Sequence, residues 1–244
     1  MKQILVTSLA VLAIACTKTP QASVGEYGKV DFSVKAENYV DETVKSVVSD
    51  YASLPVQSDF SILIKDASKS TVYSGPVSEW SAQTPISTGT YTVTATYADP
   101  EEEGFGKAAF EGETEFTVEG GKTTPVSIDA RLANCMVKVA VSESFSNYYP
   151  EYSFSIVTGL GTTISFPKRE TRAAFIYAYR FEIKGEMTSQ GGTAKTFSKE
   201  YQQLSPATCY SLSFDVADVS GSSISISFDD AVETVVLEDI ELNN

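Results

Sequence analysis

Histidine is absent from all 244 residues. That excludes Ser-His-Asp and Cys-His nucleophile pairs, and it excludes zinc or haem held by imidazole. Carboxylates, hydroxyls and three cysteines remain to do chemistry. Asp and Glu number 32, yet no pair stands out by its spacing, so nothing points to two-carboxylate glycoside hydrolysis. The run "DPEEEGFG", Asp99 to Gly106, lacks the D-x-[DN]-x-[DN]-G order of a calcium loop and reads as a solvated loop. "TGLGTT", Thr158 to Thr163, precedes a strand and holds no lysine, so it reads as a turn and not a phosphate loop. No catalytic residue, metal site or cofactor is expected, and the chain reads as a non-enzyme.

Binding chemistry is better represented. "NYYPEY" groups Tyr148, Tyr149 and Tyr152. These rings are candidate ligand contacts that would stack on sugars; the alternative is a short turn packed onto a core. Trp80, in "VSEWS", is the only tryptophan and reads as a core plug. The formal net charge of −14 repels phosphate backbones, so nucleic acid is not an expected partner.

Nearly every apolar run alternates with period two. Val30, Phe32, Val34 and Ala36 share one face, as do Phe60, Ile62 and Ile64, and then Tyr91, Val93, Ala95 and Tyr97. A hairpin pattern surrounds Gly120-Gly121. A second set starts at Cys135 and includes Tyr152, Phe154 and Ile156, then Tyr177, Tyr179, Phe181 and Ile183, then Ile224, Ile226 and Phe228. Such runs, split by Gly, Pro, Asp and Ser, are half-buried antiparallel strands. The expected fold is all-β: two tandem transthyretin- or immunoglobulin-like antiparallel β-sandwiches, over 28–132 and 133–244. The seam at "DARLANC" has no flexible linker, so the two halves should stack. "YVDETVKSVVSDY" has helical spacing but four valines, and reads as a strand with a loop. Strand phase turns Cys135 inward with Val137 and Val139. It turns Cys209 outward, opposite Tyr210, Leu212 and Phe214, which argues against a disulfide. The final segment alternates Val232, Thr234, Val236, Ile240 and Leu242. It is either the last strand of the second half or a donor strand, 232–242, for another subunit's open sheet edge.

The chain begins with Lys2 and about twelve apolar or small residues, too few for the roughly 20 that span a bilayer. This is the pattern of a signal peptide, 1–15. Ala13-Ile14-Ala15-Cys16 resembles a bacterial lipobox, in which Cys16 would be acylated and become the first residue. The alternative is ordinary cleavage after Ala15. Residues 16–27 read as a lipidated tether, so the membrane becomes a partner through the N-terminal lipid.

"PISTGTYTVTATYAD", "FTVEGGKTTPVSIDARLANCMVKVAVS" and "FPKRETRAAF" together resemble a family of Bacteroidales lipoproteins that carries a domain of unknown function. The matching residues are Gly89 to Val93, Leu132-Ala133-Asn134 with Val137 and Val139, and Glu170-Thr171-Arg172-Ala173. That family is similar in layout to fimbrillins, lipid-exported subunits of two β-sandwiches whose groove, once trimmed after a basic residue, accepts a neighbour's strand. The resemblance implies adhesion or pilus-type assembly at the outer membrane, on its periplasmic face or at the cell surface. A glycan-binding lipoprotein is the alternative. The chain departs from the pattern in having Arg131 as its first arginine, with only Lys29, Lys35 and Lys45 available for early trimming, and no acidic residue in Thr17 to Pro20.

Overall fold

A computed structural model describes residues 25–37, 54–217, 223–228, 231–236 and 238–239. The signal peptide, Cys16, the "YVDETVKSVVSDY" segment, Ile240 and Leu242 lie outside these residues.

The first half contributes β1 (Tyr27–Ala36), β2 (Ser61–Asp66), β3 (Thr71–Pro76), β4 (Ile86–Ser87), β5 (Gly89–Tyr97), β6 (Gly104–Phe105), β7 (Phe110–Val118) and β8 (Thr123–Leu132). Alternation does what its period dictates. Val30, Phe32, Val34 and Ala36 are all buried along β1, and Tyr91, Val93 and Ala95 along β5. The sheet order is β3-β2-β5-β7-β8-β1-β4. β7 and β8 pair only at Phe110↔Leu132 and Glu111↔Arg131, so the sheet folds over at that corner. Strands from both sides of the corner then share one core, with Phe32 and Ile128 against Ile62, Val93 and Phe116.

The second half contributes β9 (Cys135–Val141), β10 (Glu151–Thr158), β11 (Thr163–Pro167), β12 (Ala174–Ile176), β13 (Arg180–Thr188), β14 (Ala194–Gln202), β15 (Cys209–Val216), β16 (Ser223–Phe228), β17 (Ala231–Val236) and β18 (Glu238–Asp239). One sheet runs β11-β10-β13-β14-β18, the other β17-β16-β15-β9-β12-β6. Between them lies a second core that includes Val137, Phe154, Ile183, Leu212, Phe214 and Ile226. The helix α1 (Glu143–Tyr148) starts at Ser142, whose Oγ accepts from Phe145 N at 2.9 Å, the usual N-cap arrangement.

The chain is therefore all-β and sandwich-like, as the alternation implies. The expected strand direction needs correction. β1 and β8 are parallel over Lys29↔Thr123 to Ala36↔Ala130, and so are β9 and β15. Period-two patterning states which face is buried and carries no information on the direction of the neighbour. A parallel pair needs only a long connection, and each of these has one.

Two features join the halves. β6, from the acidic loop, pairs with β12 at Ala174↔Phe105 and Phe175↔Gly104, adding a strand of the first half to a sheet of the second. In the other direction Met136, Ala173, Phe175 and Cys209 belong to the first core. This corrects the expectation that Cys209 faces outward. Its phase is as read, opposite Tyr210 and Leu212, but the face outside the second core is covered by the first half, and Cys209 is 0% exposed. Cys135 points into the second core. The two thiols thus lie on opposite faces of one sheet, and no disulfide joins them.

Candidate binding groove

The long run of β9 has a partner on only part of one side. β15 pairs with it from Met136 to Val141, whereas β12 covers only Cys135 to Val137 on the other. β11 pairs with β10 and, among the described residues, has no strand on its other side. Between these two edges is a groove of about 380 Å³. Its floor is the second core itself, Val139, Phe154 and Phe166, with Tyr152 at one side. The segment crossing from β11 to β12 forms the rim, with Arg169, Glu170 and Thr171.

The rim is held by the "ETR" triplet. Glu170 Oε1 accepts from Thr171 N, Arg172 N and Arg172 Nε at 3.0 Å, and Oε2 accepts from Arg172 Nη2 at 2.8 Å. Hydrogen bonds from the Arg172 side chain, then from its backbone, lower the Glu170 carboxyl from 4.5 to about 2. The Arg172 guanidinium lies 4.4 Å from the centre of the Phe105 ring, a cation–π contact. Phe105 in turn meets Phe166 edge-on at 5.4 Å. A first-half loop thereby braces the groove of the second half.

The tyrosines predicted as ligand contacts lie at different depths, Tyr149 buried and Tyr148 and Tyr152 half-buried. Tyr149 is 0% exposed and packs on Phe145 at 5.0 Å, and Tyr148 packs edge-on against Tyr149. Only Tyr152 reaches the groove, half-buried against Phe145 and Phe154, with Lys168 Nζ 5.7 Å from its ring centre. Tyr149 follows Phe145 by one helical turn and so shares its core-facing side, which composition alone does not reveal. In the tail, Val232, Thr234 and Val236 lie in β17, paired antiparallel with β16. β18 then crosses to the other sheet and pairs with β14 at Lys195↔Asp239.

The acidic loop expected to be solvated does more than that. Glu103 Oε2 accepts from Thr158 Oγ1 at 2.6 Å, and Oε1 accepts from Tyr177 N at 2.9 Å. At the seam, Asn134 is fully buried. Its Nδ2 donates to Lys107 O at 2.7 Å, its Oδ1 accepts from Ala109 N at 3.4 Å, and its backbone O accepts from Ala207 N at 3.0 Å. Among the described residues no three Cys, Asp or Glu side chains converge as a metal cage, and no helix is long and apolar enough to cross a membrane. Sequence reasoning placed Val139 and Phe154 as inward strand residues but not as a groove floor, and it did not single out Phe166. The available signal was the short "AAFI" run after Pro167, too brief to cover the length of β9.

An all-β chain with two cores and an open-edged groove is the class that this architecture defines. The chain belongs to a domain family of unknown function, DUF4493, whose model matches residues 26–244. No curated protein matches it. Among solved structures it is similar to a candidate cell adhesion protein from Bacteroides eggerthii, at 9% identity and a TM-score of 0.46, over 88% of this chain and 95% of that one. It is also similar to the fimbrial anchor protein Mfa2 from Porphyromonas gingivalis, at 11% identity and a TM-score of 0.35, over 88% and 97%. Candidate polysaccharide-binding proteins from Bacteroides thetaiotaomicron resemble it at 10% identity and a TM-score of 0.41, over 86% and 98%. Likeness at this level assigns no activity to the chain.

Proposed function

We propose that this chain is a non-catalytic lipoprotein of the cell envelope, anchored in the outer membrane through Cys16, on the periplasmic face or at the cell surface. Its work is adhesion or pilus-type assembly, in which it accepts an extended segment of another envelope protein in the groove between β9 and β11. One observation carries the reading: an apolar floor lies between residues 138–141 of β9, which β12 does not reach, and the edge of β11 that has no strand beside it among the described residues. An inserted strand would satisfy open backbone groups and bury alternate side chains, the two sources of affinity in strand addition. The anchor rests on the lipobox-like Ala13 to Cys16 and needs more than one acyl chain to hold.

A photo-crosslinking residue in place of exposed Ala140, in the native host, tests the groove. A crosslinked adduct with a second envelope protein is expected, together with loss of metabolic fatty-acid labelling in Cys16→Ser. A protein that labels with lipid but forms no adduct keeps its anchor and loses the assembly role.

A further inference from the structure

The first half carries a separate cleft of about 410 Å³, at the other end of the chain's aromatic content. It lies where β4 pairs with the start of β1, at Tyr27↔Ser87. Tyr27, Tyr73, Trp80 and Tyr91 line it, with Asp66 and Thr84. Its volume is in the range of small-ligand sites, and it mixes apolar walls with a few placed polar groups, the usual make-up of such sites.

These rings are fixed before any ligand arrives. Trp80 Nε1 donates to Val30 O at 3.0 Å, and its ring meets Phe32 at 5.3 Å and Tyr73 at 5.1 Å, both edge-on. The Tyr73 hydroxyl donates to Pro76 O and the Tyr91 hydroxyl to Ser87 O, each at 2.9 Å. Tyr91 stacks on Phe116 at 5.6 Å. Tyr27, by contrast, is 45% exposed. With their polar tips engaged, the rings offer carbon surface rather than hydroxyl groups to whatever enters.

Asp66 supplies the polar counterpart. It lies opposite Tyr91 in the β2–β5 register. Ser68 N, Ser68 Oγ and Ser70 N all donate to its Oδ1, at 2.9, 2.6 and 2.9 Å. These bonds hold the carboxyl ionised, lowering it from the usual carboxylate value. Asp66 is thus a charged carboxylate, fixed through one of its oxygens, in the lining of a cleft whose walls are aromatic. A fixed acceptor beside aromatic faces suits a pyranose ring, whose C–H face packs on aromatic carbon while its hydroxyls donate to a carboxylate. The negative charge disfavours uronic acids and sulfated sugars.

We infer that this cleft binds a neutral hexopyranose chain, with Tyr27 and Trp80 as the stacking walls and Asp66 as the hydroxyl acceptor. The site shares no residue with the β9–β11 groove and does not depend on the anchor, so its failure leaves the assembly reading standing.

Trp80 is the only tryptophan and lines the cleft, so tryptophan emission reports on its surroundings. The soluble chain beginning after Cys16 is titrated with maltohexaose, cellohexaose and mannohexaose, and with hexagalacturonic acid, each to about 10 mM, beyond the weak-binding range. A saturable change in Trp80 emission is expected with at least one neutral hexasaccharide and none with the acidic one. Tyr27→Ala removes an exposed ring, so the fold should hold while affinity falls about tenfold. Asp66→Asn keeps the Oδ1 acceptor, should weaken neutral binding and should relieve the exclusion of hexagalacturonic acid. The inference is overturned if no neutral hexasaccharide changes the emission of the folded protein, or if the affinity is the same in Tyr27→Ala.

Discussion

Glu170 ties a short motif to the packing around it. Its carboxylate, held at about 2 by Arg172, is depressed below the value near 4.5 expected when the chain is unfolded. The pair therefore adds stability that is fully present above pH about 4.5 and is lost as pH falls through about 2. In Arg172→Ala the carboxyl should return towards 4.5, measured by carbon-detected NMR titration of the glutamate side chains. The acid unfolding midpoint should move to higher pH, and the stability difference between the two proteins should shrink as pH falls towards about 2, leaving what the Phe105 contact contributes. A Glu170 that titrates near 2 without Arg172 would show that other donors hold it. The same motif also sets the rim of the groove, because the guanidinium that anchors Glu170 is the one seated on Phe105.

Among the elements, the corner between β7 and β8 decides how the first half closes. At Gly112 the two strands come so near that an added Cβ would lie 2.5 Å from Asp129 O and 2.9 Å from Ala130 Cα. Those neighbours are backbone and cannot swing aside, so the close approach needs glycine. Gly112→Val should destabilise the protein by about 1–3 kcal/mol, the usual cost of overpacking, seen as a lower urea midpoint with an unchanged slope. A variant as stable as the parent would mean that the corner can open. Near the other end, the chain adds β17 and β18 to different sheets of the second half. The alternation of Val232, Thr234 and Val236 suits a strand in either location, home or donated.

Across the whole molecule the two halves interlock. Met136, Phe175 and Cys209 of the second half sit in the first core, and β6 of the first half extends a sheet of the second. Asn134 ties the seam by its hydrogen bonds to Lys107 and Ala109. The soluble chain should therefore unfold in one calorimetric transition, and in the native state Cys135 and Cys209 should both resist Ellman's reagent. Burial explains this for Cys135 first, pushing its thiol up to about 12. Asn134→Ala leaves buried backbone groups without partners, at a cost of about 1–3 kcal/mol. It should lower the transition and let Cys209, which lies between the halves, react before Cys135. Two resolved transitions in the parent, or equal thiol reactivity in the variant, would show that the halves are independent.

Much of this was legible in the residues. Alternation in β1, β2, β5, β15 and β16 named the inward faces, since successive side chains on a strand point to opposite sides. The missing histidines removed whole classes of chemistry, and "LAN" and "ETRA" marked the segments that turn out to be the seam and the groove rim. Other features were not legible, because they depend on what lies across from a strand. Patterning could turn Cys209 away from the second core but could not show that the first core waited on that side. It could not make β1 and β8 parallel, stop β12 short of the end of β9, or bring Tyr27, Asp66 and Trp80 around one cleft. Local sequence marked the buried face of the strands, through a period set by backbone geometry, but not of the segment before β13, where Tyr177 and Tyr179, read as inward, are exposed. Tertiary structure alone decided what the buried faces pack against, because that depends on contacts between segments far apart in the chain.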